Sequence, residues 1–243
     1  MLEGLYSAAA GMSAQQEQLD AIGNDLANLS TSGYKSERVA FSDLLYNPVN
    51  IAHTETAVGA GASASVIGRS EGQGTIHETG NPLDLAIEGP GYFQVTKPNG
   101  QIVLTRDGAF STDATGTLVA AHGERIAPPI KIPAGVPLSQ VSISTDGTVL
   151  AAGRKVGRVQ LVTVTSPEKM LADGVGQFSP TAASGPVSTT GVGHVRQGAL
   201  EEANVDVGRE MAQMVSTQRA FQLTSSAIQT ESQMMSIANQ LRP

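Results

Sequence analysis

The two ends of this 243-residue chain carry apolar residues at alternating intervals of three and four, and the middle does not. In the first segment the series is Leu5, Ala8, Met12, Gln15, Leu19, Ile22, Leu26 and Leu29, apolar at every place but Gln15. An interval averaging three and a half residues brings side chains onto one narrow stripe of a helix. The spacing predicts a helix from Met1 to about Ser32. Gly33 is its expected stop, because glycine readily adopts the left-handed conformation that ends many helices. The last segment repeats the interval with more polar breaks, as Met211, Met214, Gln218, Phe221, Ser225, Ile228, Ser232 and Met235. It predicts a second helix from about Asn204 to Leu241, with Asn204 or Asp206 as its cap. Both helices are weakly apolar and poor in intrahelical ion pairs, and such helices are marginal when isolated in water. They need a partner: the chain's own body or other copies of the chain.

Between them, residues 61–200 follow β rules. Leu83, Leu85 and Ile87 alternate as in a half-buried strand. Tyr92 to Val95 and Ile102 to Leu104 flank Pro98-Asn99-Gly100, a turn between two strands. Asp107-Gly108, Asp113 to Gly116 and Asp146-Gly147 punctuate further short runs at Leu118-Val119, Val141 to Ile143 and Leu161 to Val164. Asn47 to Ala60 is polar and irregular, and Ser179 to Gly198 is rich in Gly, Ser, Thr and Pro. The expected organisation is α+β: an assembly helix at 1–34, an extended linker at 35–75, a central antiparallel all-β domain at 76–198 and a second assembly helix at 199–243. The long terminal helices are expected to pair in coiled-coil fashion. Their expected interface residues are Leu5, Met12, Leu19, Ile22, Leu26, Leu29, Met211, Met214, Phe221, Ile228 and Met235.

Composition narrows the function. Charged residues make up 15% of the chain, against about 25% in ordinary domains, so much of the surface is neutral and polar. The net charge is −7, and residues 1–34 contain no Lys or Arg; nucleic-acid binders show a basic patch instead. No Cys is present, which removes disulfides and thiolate chemistry. No apolar run approaches the ~20 residues of a membrane span, and the N-terminus lacks the basic and apolar regions of a cleaved signal peptide.

Chemical motifs fail the demands of their own mechanisms. Gly59-Ala60-Gly61-Ala62-Ser63-Ala64 fits a dinucleotide pattern, but that site needs a strand before it and a helix after it, and a strand-like run follows. Ser166-Pro167-Glu168-Lys169 and Ser32-Gly33-Tyr34-Lys35 fit S-x-x-K without the companion motifs that position a base. His53, His77, His122 and His194 lie far apart, and none has metal-ligand spacing. Asp84, Asp107 and Asp146 stand in strand or turn contexts that account for them. No catalytic, cofactor-binding or metal-binding residue is assigned.

Four stretches together carry a resemblance. Ala27-Asn28-Leu29-Ser30-Thr31-Ser32-Gly33-Tyr34-Lys35 resembles the end of the N-terminal helix in the bacterial flagellar rod and hook family. Asn81 to Gly89, continuing through Gly91 to Val95, resembles the first strands of that family's β domain. Thr105-Arg106-Asp107-Gly108-Ala109-Phe110 resembles its next turn, and Gln197 to Val205, followed by Glu210, Met211 and Gln218-Arg219-Ala220-Phe221, resembles its C-terminal helix. The stretches occur in the family's order over almost the whole chain. The wording from Met12 to Leu45 is nearest to the distal-rod type, and there is no room for the extra outer domain of a typical hook subunit.

The resemblance implies an axial subunit that polymerises into a helical tube, transmits torque and forms part of an export channel. It implies location in the periplasmic rod and export through the flagellar type III apparatus. The implied partners are other copies of the chain, other rod proteins, hook protein and surrounding ring proteins, without nucleic acid, membrane insertion or cofactor. A proximal-rod or hook-type subunit, or a non-polymerising export-linked cap or adaptor, is the alternative; a soluble β-domain hydrolase ranks behind them. Within the motif, Ala27, Asn28, Thr31, Gly33, Tyr34 and Lys35 are expected to form a fixed bend out of the helix.

Overall fold

The computed structural model describes residues 2–44, 46–51, 54–174 and 176–240. Two long helices stand at the ends, α1 over Leu2–Ala27 and α2 over Val207–Gln240, and short strands fill the sequence between them. The chain divides into two compact units. One comprises Met1–Ala27, Glu37–Ile67 and Asp206–Pro243; the other comprises Asn28–Ser36 and Gly68–Val205.

In the helical unit, α1 and α2 pack along each other. Gly4 faces the carboxylate of Glu231, while Gln18, Ala21, Ile22 and Asp25 line one cleft with Arg209, Glu210 and Gln213. The two helices therefore run antiparallel. At 26 and 34 residues they extend about 39 and 51 Å. Asp206 caps α2, its Oδ1 accepting from the Arg209 backbone N–H at 3.1 Å; Asn204 is engaged elsewhere. The strand Glu37–Asp43 pairs with Ala62–Arg69 and packs on α1. Gly61, at φ +104, passes so close to Ser7 and Ala10 that a Cβ would lie 2.9 Å from the Ser7 carbonyl oxygen.

Two local expectations are corrected here. α1 ends at Ala27, short of Ser32, and Gly33 is not its terminator. Asn28 to Thr31 form a turn, with the Thr31 N–H donating to the Asn28 carbonyl. Asn47 to Ala60 is not irregular, because Tyr46–Ile51 and Thr54–Gly59 pair as antiparallel strands; much of the described part of 35–75 is paired in strands. Polar side chains do not prevent a two-stranded ladder, whose hydrogen bonds come from the backbone.

The β unit is antiparallel throughout its described ladders. Tyr92–Thr96 and Ile102–Thr105 form the hairpin expected around Pro98-Asn99-Gly100, with Val95 opposite Val103. Seven strands follow in the order 171–172, 177–179, 102–105, 92–96, 125–126, 118–119 and 111–112, and Leu161–Val162 joins Tyr92–Thr96 separately. Val141–Ile143, Thr148–Ala151 and Arg154–Arg158 make a three-stranded sheet. Leu85, Ile87, Phe93, Val95, Val103, Phe110 and Ile126 centre the main core, where Phe93 meets Phe110 edge-on with ring centroids 5.2 Å apart.

Leu85–Glu88 departs from the half-buried expectation: Leu85, Ala86 and Ile87 are all buried. The strand is covered on both faces and paired with His194–Gln197. The Gly/Ser/Thr/Pro-rich stretch from Ser179 to Gly198 thus ends in a strand. Its ladder places Val195 opposite Ile87.

Candidate functional site

All four motif stretches meet at a buried cluster of charges in the β unit. Glu201 ends the strand Ala199–Glu201 and is 1% exposed. Its Oε1 accepts from Lys35 Nζ at 2.6 Å and from the Gly74 N–H at 2.9 Å; its Oε2 accepts from an Arg106 guanidinium nitrogen at 2.9 Å. Lys35 donates a second bond to the Gly72 carbonyl at 2.7 Å, and Arg106 a second to the Gly89 carbonyl at 2.9 Å. The Arg106 guanidinium also lies over the Tyr92 ring, 5.4 Å from its centroid. Burial pushes the Lys35 amine below its usual range, against the opposing pull of its Glu201 hydrogen bond and charge. Glu71, which accepts from the Tyr92 hydroxyl at 3.1 Å, is raised by burial, and so is Tyr92.

The backbone closes around these charges. The Gly33 N–H donates to the Glu201 carbonyl at 2.7 Å. Gly33 has φ +67, and a Cβ there would lie 2.4 Å from the Arg106 carbonyl carbon; glycine is needed both for the conformation and for the approach. Asn204 ties the same two segments, accepting from the Ser36 N–H at 2.8 Å and donating to the Ser70 and Gly72 carbonyls. The junction holds residues 33–36, which follow α1 in the chain, against residues 201–204, which precede α2. Its chemistry is that of a clamp: Lys35 and Arg106 both donate to Glu201, and each donates again to a backbone carbonyl.

The expected interface residues fall into several groups. On α1 the most buried positions are Ala14, Gln18, Ala21, Ile22 and Asp25. Leu5, Met12, Leu19 and Leu26 flank that row and are half-covered. The reason is physical: Ala14 and Ala21 are small enough for close approach, and Asp25 is held at the contact because its Oδ1 accepts from the Glu37 N–H at 3.0 Å. Leu29 lies outside the helix and is exposed.

On α2 the covered row runs from Glu210 through Met214, Thr217, Phe221, Thr224, Ile228 and Glu231 to Met235. Met214, Phe221, Ile228 and Met235 stand on it. Met211 does not: it is 57% exposed, and buried Glu210 takes its place. Thr217 and Thr224 can occupy a covered row because their hydroxyls donate back to the Gln213 and Ala220 carbonyls, at 2.8 and 3.0 Å.

Of the motif residues, Gly33, Tyr34 and Lys35 are buried at the junction; Ala27 and Thr31 are exposed, and the Thr31 hydroxyl donates to Asn28 Oδ1 at 3.1 Å. Arg106 and Glu201 were not singled out from sequence as site residues. Their signal was present, since both lie inside quoted motif words, but nothing local marks either as buried.

The remaining chemical candidates do not converge. Gly59 to Ala64 joins two strands, with no helix to receive a phosphate. In the S-x-x-K matches, Lys35 is bound to Glu201, and Ser166 begins a short 3₁₀ turn. His77, His122 and His194 are separate and exposed, and His53 lies outside the described residues. Among the described residues no group of three His, Asp or Glu is placed to hold a metal, and no helix is long and apolar enough to cross a membrane. An open cleft of about 560 Å³ is lined by Thr145, Asp146, Arg158 and His194 among others. Asp146 there accepts from both Thr148 donors, which holds its carboxyl low, and Arg158 donates to the Asp146 carbonyl.

Three family models match: the flagella basal body rod protein model over residues 5–35, the flagellar hook protein FlgE/F/G D1 domain over 86–151, and the flagellar basal body rod FlgEFG protein C-terminal model over 196–241. The chain is 34% identical to the flagellar basal-body rod protein FlgG of Borreliella burgdorferi, over all of this chain and 99% of that one. It is 35% identical to the proteins of the same name from Buchnera aphidicola and Caulobacter vibrioides, over 99% of this chain and all of each relative.

Proposed function

Because this chain belongs to the flagellar basal-body rod family and is a structural rod subunit of that basal body, we propose that it works by polymerising through its two terminal helices. The observation that carries this reading is the incomplete cover of those helices in a single chain. Leu5, Met12, Leu19 and Leu26 are half-covered, and α2 carries Met211, Val215, Leu223, Met234 and Ile237 in the open. Apolar area left in water is a driving force for association, at about 25 cal/mol per Å² buried. Pairing of α1 with α2 supplies part of the cover, in coiled-coil fashion on the Met214–Phe221–Ile228–Met235 side, and neighbouring copies supply the rest.

In this reading the helices line an export channel and the β unit carries torque between subunits. The clamp at Lys35, Arg106 and Glu201 ties the segment that follows α1 to the segment that precedes α2. The rod stands in the periplasm, the chain reaches it through the type III apparatus without a cleaved signal, and its neighbours are other rod proteins, hook protein and ring proteins. The wording from Met12 to Leu45 supports a distal position in the rod.

Leu19→Asp or Phe221→Asp tests the reading. Each variant is expected to leave the β unit folded, seen by hydrogen exchange of residues 85–164, and to abolish incorporation into isolated basal bodies. Normal incorporation of both would overturn it.

A further inference from the structure

Within the helical unit the two outer helix faces are electrically opposite. α1 contains no Lys or Arg, and it exposes Glu17 and Asp20. Asp20 accepts from Gln16 Nε2 at 2.8 Å, which leaves its charge uncompensated. On α2, Arg209 is paired with Glu210 at 3.3 Å. Arg219 is exposed and makes no ion pair or hydrogen bond among the described residues. It stands on a ridge at intervals of four: Val215, 47% exposed, precedes it, and Leu223, 72% exposed, follows. The ridge lies outside the row that covers α1, so its apolar residues have no partner within the helix pair.

The antiparallel register puts these features within about two turns of one another along the axis. Gly4 lies level with Glu231, and Gln18 to Asp25 lie level with Arg209 to Gln213. Arg219 is therefore level with about Ala14 to Gln16 of α1, and Glu17 and Asp20 lie within about 10 Å of that height along the axis. A second copy moved sideways, with a shift of about one turn along the helix axis, would present its Glu17 and Asp20 to this Arg219.

We propose that the α2 ridge Val215–Arg219–Leu223 docks on the acidic outer face of α1, at Glu17 and Asp20, of a second copy of this chain. The inference rests on the polymerisation reading above and assigns its lateral contact. The two surfaces differ, so each copy donates one and accepts with the other. Such a head-to-tail contact propagates as an open helical array unless its rotation happens to close a ring. The apolar ridge supplies adhesion, and the charges set register by penalising misplaced copies.

The test uses the full chain as the only copy in the cell, reading the amount recovered in isolated basal bodies. R219E is expected to lower recovery by about ten-fold or more, because like charges then face each other at every repeat, while circular dichroism of the soluble chain is unchanged. Combining it with E17R and D20R is expected to restore recovery. Two single-cysteine variants, E17C and R219C, present together and treated with a short bis-maleimide, are expected to give a cross-linked dimer that neither gives alone; the absence of native cysteine makes this readout clean. Normal recovery of R219E, failure of the triple variant to improve on R219E, or absence of the mixed cross-link overturns the contact. If Leu19→Asp and Phe221→Asp fail to incorporate while R219E incorporates normally, the lateral contact alone is lost. If all three incorporate normally, the polymerisation reading falls with it.

Discussion

Phe93 and Phe221 are the same side chain in two kinds of environment. Phe93 is fully buried, closed in by Phe110 and by strands from distant parts of the chain. Phe221 is half-covered, with one neighbouring helix on one side and open surface on the other. The β unit completes its core within one chain and seals even its charges, as Glu201 between Lys35 and Arg106. The helical unit covers one row on each helix and leaves a second apolar ridge on α2 without a partner. A fold that is finished in one region and unfinished in another is what a subunit needs if it is to exist alone and still associate.

The sharpest way to break the contrast is at Glu201. Glu201→Ala leaves two buried cations without their shared carboxylate, and breaking a buried pair in this way costs about 3–5 kcal/mol. Urea denaturation of the β unit should show that loss, with the helical signal little affected. The phenylalanines give a matched pair: Phe93→Ala should cost about 3–5 kcal/mol, whereas Phe221→Ala should cost under about 1.5 kcal/mol in the single chain because it opens no closed cavity. Equal losses would mean that the helices are as complete as the core.

Gly33→Ala comes next, at about 1–3 kcal/mol, from a strained positive φ made worse by the clash with Arg106. Thermal unfolding of the full chain measures it. The smallest effect is pH-dependent. Burial raises Glu71, so the unfolded state releases that proton first, and stability falls as pH rises from 4.5 toward the folded value. Lys35 is lowered, so the unfolded state holds its proton longer, and stability rises as pH approaches 10.5. Burial raises Asp107 in the same direction, so Glu71→Gln should lessen the acid-side slope and leave the alkaline one; an unchanged acid-side slope would place its origin in another group.

Much of the β unit was legible because its signals are short. Pro98-Asn99-Gly100 between two apolar runs is enough to specify a hairpin, and the structure has it in the expected place. The half-buried reading of Leu85–Glu88 failed because alternation describes a strand with one wet face, and Ala86 is small enough to be buried on either face. The helix seams were legible as helices but only partly as faces. A repeat of three and four recurs on adjacent rows, one residue apart, and Met211 with Glu210 shows how little separates them. Apolarity favoured Met211; packing covers Glu210.

The sequence by itself determined that both ends are helical, that the middle is antiparallel β, and that the chain is a rod-family subunit, because those features are written in local periodicity, turn chemistry and motif words. The tertiary structure alone decided that Lys35 and Arg106 share Glu201, residues 166 and 95 positions away along the chain, and which row of each helix is covered. Those outcomes depend on which groups lose water together, and that is settled only when distant segments pack.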